Sequence, residues 1–215
     1  MGRLVVIEGL DGAGKRTLTE ALTKALHDRG RSVSTMAFPR YGESVHADLV
    51  REALHGEHGD LGGSVYGMAL LYALDRREAA PDIRAAMGTH DVVLLDRYVA
   101  SNAAYQAARL HQDTDGKVVS WVRALEIDRF GLPVPDAQVL LRVAPTLARV
   151  RARHRAAADT ARPQDAFESD DALQARCARL YDRLAEEGWL APWHIVDGTA
   201  RVDADALAAD LLASP

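Results

Sequence analysis

The densest chemistry in the chain lies in residues 8–18, EGLDGAGKRTL. Gly9, Gly12 and Gly14, with the small Ala13 between the last two, let backbone N–H groups turn inward around a phosphate. Lys15 adds a full positive charge for the outer phosphates of a bound nucleotide. The spacing Gly-x-x-x-x-Gly-Lys is that of a P-loop, but Arg16 stands where the magnesium-holding Ser or Thr belongs, and Thr17 follows one place later. A guanidinium only donates hydrogen bonds and cannot ligate a cation. Magnesium must therefore rely on other oxygens, with Asp96 and Thr17 among the candidates.

Four further stretches carry side chains suited to a phosphate and a polar ring. The apolar run VVLLD ends in Asp96, the pattern of a metal-holding carboxylate or, alternatively, of a helix N-cap. After it, Arg97, Ser101 and Tyr105 recur every four residues and so share a helical face, with Asn102 beside it. Tyr72 and Arg76 are spaced in the same way. In FPRYG, Pro39 restrains the backbone and presents Phe38, next to Arg40 and Tyr41, either to a base or to the core. The arginine-rich stretch 149–168 reads as a closing lid over 151–168, bearing Arg151, Arg155 and Arg162, then Asp165 and Glu168. Within it Leu147, Val150 and His154 fall on one stripe, expected to face the core.

The elements that must position these groups are legible as alternation. RLVVIE, SVSTMAF, DVVLLD, AQVLLRV and WHIVD read as strands, three of them apolar almost throughout, as when helices cover both faces of a sheet. Helical patterns occupy 15–28, 44–55, 63–87, 97–130 with a break near Gly116, 145–156, 169–187 and 203–213. This predicts an α/β fold, a three-layer doubly wound parallel sheet, in one domain spanning 1–215. Such sheets bind ligands beyond the carboxyl ends of their strands, where the stretches after the first three strands converge. With 48% hydrophobic and 27% charged residues and a net charge of −5, the composition argues against a general nucleic-acid binder. The apolar run at residues 4–7 is too short for a signal peptide or membrane span, and the single Cys177 fits a reducing cytoplasm. Its setting in ALQARCARLYDRL suggests helix packing rather than reactivity.

Taken in order, GLDGAGKRT, FPRYGES, LYALDRRE and DRYVASNAAYQ resemble the bacterial thymidylate kinase family, in the actinobacterial form in which GKRT and ALHGEHGD also occur. The resemblance covers nearly the whole chain. It implies a P-loop NTPase-type nucleoside monophosphate kinase fold with a short lid, and transfer of the γ-phosphoryl group of ATP to dTMP on a magnesium-dependent homodimer. Carried over, Phe38 stacks on thymine with Tyr72 and Tyr41 nearby, and Arg76 and Asn102 address the base. Tyr105, beside Ser101, crowds the 2′ position, and Arg97 grips the dTMP phosphate. Asp11 meets the 3′-hydroxyl and organises magnesium together with Asp165 and Glu168. Lys15 and the loop from Gly9 to Thr17 hold ATP. Some family members carry an arginine directly after the P-loop aspartate; here that place is Gly12, which passes the task to Arg155 and Arg162. Asn102 stands where many members have Ser, and Phe167 where a lid Tyr is expected. A kinase of free nucleosides would have no phosphate for Arg97 and Arg76 to clamp. A nucleotide-binding switch would bind ATP without forming dTDP.

Overall fold

A computed structural model describes residues 1–158 and 166–213, with the side chains of 155–158, 166 and 168 left out. Five strands, β1 Arg3–Glu8, β2 Val33–Ala37, β3 Val92–Asp96, β4 Ala137–Arg142 and β5 Trp193–Asp197, form one parallel sheet in the order β2-β3-β1-β4-β5. The three central strands are buried almost throughout because helices cover both faces, which is why their sequences lack alternation. The helices are α1 Lys15–Asp28, α2 Val45–Leu54, α3 Val65–Thr89, α4 Val99–Arg109, α5 Lys117–Arg123, α6 Pro145–Ala158, α7 Ala166–Ser169, α8 Asp171–Glu186 and α9 Ala204–Ala213. Among the described residues no helix is long and apolar enough to cross a membrane.

Strand register decides which side chains meet. Ile7 of β1 and Ala37 of β2 both pair with Asp96 of β3, so the three strands end level. The glycine-rich loop, the FPRYG segment and Arg97 therefore leave the sheet side by side. α4 is buried on almost every side between α3, α5 and α8. Its alanines at 100, 103, 104, 107 and 108 are what let those neighbours approach so closely.

Three expectations need correction. Arg97 is not helical: it lies before α4 with φ 67°. Asp96 does not cap α4, whose N-cap is Tyr98. The core face of α6 is not Leu147, Val150 and His154, since Val150 and His154 are exposed and Ala148 and Ala152 are buried instead. The cause is the neighbour: α6 lies flat on the backbone of Gly12, where a Cβ would stand 2.1 Å from the Ala148 carbonyl oxygen and 2.9 Å from Ala152 N. Only small residues fit such an approach. Arg151, one turn along, donates to Ala13 O at 3.3 Å and Gly198 O at 2.9 Å, fastening the helix to the loop.

Candidate functional site

The loop between β1 and α1 has the form a phosphate requires. α1 begins at Gly14 (φ 101°), and no side chain caps it, which leaves its first N–H groups to an incoming anion. Lys15 is buried, and its Nζ donates back to Gly9 O at 3.2 Å and Leu10 O at 3.0 Å. Burial lowers the Lys15 pKa, Arg97 lowers it further, and Asp96, Asp11 and Glu8 pull the other way. The ammonium is thus held ready over the loop by weak neutral acceptors. Arg16 points to solvent in an exposed pair with Glu20 (3.0 Å), and Thr17 is exposed. The displaced Ser/Thr position therefore leaves no hydroxyl inside the loop at 16.

Arg97 is the hub. Its left-handed backbone turns the side chain back over the loop, where Nη2 donates to Asp11 Oδ1 at 2.7 Å and to the Tyr105 hydroxyl at 3.4 Å. Nη1 donates to Ser101 Oγ at 3.0 Å and to the Tyr181 hydroxyl at 3.3 Å. The Tyr105 hydroxyl donates to the other Asp11 oxygen at 2.9 Å, and the guanidinium lies 5.3 Å from the Tyr105 ring centre. Burial works to raise the Asp11 pKa, but the charges of Arg97 and Lys15 prevail and hold its carboxyl well below the usual range. Burial also pushes the Tyr105 and Tyr181 hydroxyls well up, so both remain protonated donors.

The expected base contacts form a second cluster. Arg76 is buried and forks onto Glu126, Nε to Oε2 at 2.6 Å and Nη2 to Oε1 at 2.8 Å. Asn102 spends its Nδ2 on Glu126 Oε1 (2.8 Å) and Ala69 O (3.0 Å). Phe38 is buried, its ring centre 6.1 Å from that of Tyr98, and the Phe38–Pro39 bond is cis. Arg40 is clamped onto Asp75 by bonds from its N (3.0 Å) and Nε (2.8 Å), and Tyr41 lies under Arg51, 5.7 Å from ring centre to guanidinium. Tyr72 is half-buried on α3. Phe167, where a lid Tyr was expected, is buried with its ring 6.4 Å from Tyr105 and Arg109 over its face at 4.7 Å. Arg162 and Asp165 lie outside the described residues, as do the side chains of Arg155 and Glu168.

Sequence reasoning missed Glu8, Glu126 and Tyr181. An acid closing an otherwise apolar strand directly before the loop was the available signal for Glu8. Glu126 and Tyr181 sit in helical patterns with nothing to distinguish them.

A divalent cation fits the donor set beside the loop. Asp96 Oδ1 is buried with no hydrogen-bond partner among the described residues, an acceptor oxygen that only a cation or an ordered donor would satisfy. Asp11 is held ionised nearby.

A parallel sheet of this order, an uncapped glycine-rich loop with its lysine, and an arginine reaching that loop from the end of β3 define a P-loop kinase. A profile of the thymidylate kinase family matches residues 7–204, and the chain belongs to that family. It is 55% identical over 208 residues to the thymidylate kinase of Mycobacterium tuberculosis, covering 97% of this chain and 96% of that enzyme. To the thymidylate kinase of Xanthomonas oryzae it is 35% identical over 206 residues, 94% of this chain and 78% of the other. To that of Bifidobacterium longum it is 33% identical over 190 residues, 86% and 84%. The chain is an ATP-binding kinase that phosphorylates dTMP to dTDP.

Proposed function

We propose that ATP and dTMP meet over Asp11, with the loop Gly9–Thr17 and Lys15 holding the donor phosphates and Arg97 the acceptor phosphate. The observation that carries this is the 2.7 Å pair between Arg97 and Asp11, which ties the arginine from β3 to the P-loop itself. Two phosphates bound by these two groups lie next to one another, and transfer then needs little beyond alignment and charge neutralisation. Tyr105, Ser101 and Asn102 on α4, Tyr72 and Arg76 on α3, and Phe38 and Tyr41 line the nucleoside side. Gly12 leaves the loop without the arginine some relatives carry, and Arg155 and Arg162 supply that charge. Asp11 and Asp96, with Asp165 and Glu168 as further candidates, would hold a magnesium ion, which would supply charge neutralisation on the phosphates. Arg16 and Thr17 stay at the rim of the donor site.

With ATP as donor, kcat/KM for dTMP is expected to exceed that for AMP, GMP and CMP by at least about 10²-fold. A coupled assay across these monophosphates checks this, and a purine monophosphate that matches dTMP would sink the assignment. The enzyme works as a homodimer in the cytoplasm. Tyr66 (44% exposed) and Leu70 (40%) sit one turn apart on α3, an apolar face suited to a second copy. Sedimentation velocity is expected to give twice the mass of one chain, and a monomer at micromolar concentration refutes it.

A further inference from the structure

Neither the phosphates nor the base account for Glu8. It closes β1 one residue before the loop and is completely buried. Among the described residues no lysine or arginine pairs with it directly, yet four donors converge on it. Tyr98 N (2.9 Å) and Ser101 N (3.2 Å) donate to Oε1, and Ser101 Oγ (2.6 Å) and the Tyr181 hydroxyl (3.1 Å) to Oε2. Those two hydroxyls are the ones that accept from Arg97 Nη1. Ser101 Oγ and the Tyr181 oxygen are also 2.9 Å apart. A guanidinium offers only N–H groups, so both hydroxyls must turn lone pairs toward it and send their protons elsewhere.

We propose that Glu8 is a positioning residue for phosphoryl transfer: its carboxylate takes the protons of Ser101 and Tyr181, so that their oxygens hold Arg97 Nη1 while Nη2 stays on Asp11. This rests on the reading of Arg97 as the clamp on the acceptor phosphate. The same carboxylate binds two N–H groups at the start of α4, the task an N-cap side chain performs elsewhere. One side chain thereby locks the strand that carries the P-loop to the helix that carries the acceptor-side groups. Burial raises the Glu8 pKa, against the Ser101 hydroxyl, the Arg97 charge and the Tyr98 and Tyr181 bonds, but the four donors use both of its oxygens as acceptors. Chains of hydrogen bonds that end on one acceptor are directional, and replacing that acceptor by a donor disturbs every link.

Glu8→Gln makes that reversal without changing shape. Its oxygen still serves the two backbone N–H groups, but an NH₂ replaces Oε2. Ser101 and Tyr181 must then accept from it, and their own protons, left without that acceptor, turn toward the side from which Arg97 donates. KM for dTMP is expected to rise about 10- to 100-fold, the loss of a charge-assisted hydrogen bond. KM for ATP and the melting temperature are expected to change little. In an Arg97→Ala background the same substitution is expected to leave KM for dTMP where Arg97→Ala alone put it, because Glu8 acts through Arg97. Tyr181→Phe, which removes one link, gives a smaller rise in KM for dTMP and decides the matter in the same double-variant form if Glu8→Gln does not fold. The proposal is overturned by an unchanged KM for dTMP, by a parallel rise for ATP, or by an equal rise in the Arg97→Ala background. If Arg97→Ala alone leaves KM for dTMP unchanged, the reading of Arg97 falls and this proposal with it. If Arg97→Ala raises it and Glu8→Gln does not, only this proposal falls.

Discussion

Lys15→Ala is expected to lower kcat by about 10³-fold or more while the melting temperature stays within a few degrees of the parent. Among the described residues Nζ donates to two neutral carbonyls of its own loop, and burial already lowers its pKa. Holding an ammonium there therefore contributes little to the fold, and its value appears when a phosphate arrives. Donors preset toward charge that develops during transfer are each worth about 10²–10³ in kcat, and a full charge in a water-poor loop more. Removing a group so placed typically costs activity without costing stability. Single-turnover formation of dTDP, measured beside thermal unfolding, separates the two. A variant that keeps kcat within tenfold would move the donor site away from this loop.

The strands were legible because a parallel sheet covered on both faces needs unbroken apolar runs, and Leu4–Ile7 and Val92–Leu95 are such runs. The loop was legible because its glycines serve backbone geometry that few other residues reach. The grouping of Arg97, Ser101 and Tyr105 was also correct, though for an incomplete reason. Periodicity placed Arg97 on the face of a helix it does not join; its φ of 67° folds the side chain back onto that face from outside. What periodicity cannot carry is a partner far away in sequence. Glu8 meets residues 101 and 181, and Glu126 meets Arg76 fifty residues earlier, and no spacing rule links them. The misread stripe on α6 has a related cause. Leu147, Val150 and His154 satisfy a helical pattern, but the surface beneath α6 is the bare backbone of Gly12, and close approach selects Ala148 and Ala152 over larger residues. Gly12 therefore does more than omit an arginine. It leaves room for α6, the helix in which Arg155 lies and after which Arg162 follows in the sequence, so the absent charge in the loop and the proposed supply from the lid are linked by one packing decision.

Glu126→Ala is expected to be the most destabilising single change at the site. Glu126 lies in a π-helical stretch, Ala124–Arg129, whose widened turn lets the consecutive Leu125 and Glu126 both face inward. There it takes both prongs of the Arg76 fork and one N–H of Asn102, with the two charged side chains 0% and 3% exposed. Forming such a buried pair gains little over an apolar contact, but removing one member strands the other charge away from water. That costs about 3–5 kcal/mol. For a chain of this length each kcal/mol moves the melting temperature by about 2–4 °C, so a fall of about 6–20 °C is expected by calorimetry. Glu126→Gln keeps the shape and one acceptor oxygen and is expected to fall between parent and alanine variant. A shift of less than about 2 °C for the alanine variant would mean that water reaches Arg76 and the pair is solvated. The two effects also separate in function. If Arg76 and Asn102 address the base, Glu126→Gln raises KM for dTMP beyond what its fall in melting temperature explains, because one of the two oxygens that Arg76 and Asn102 share becomes an NH₂ donor.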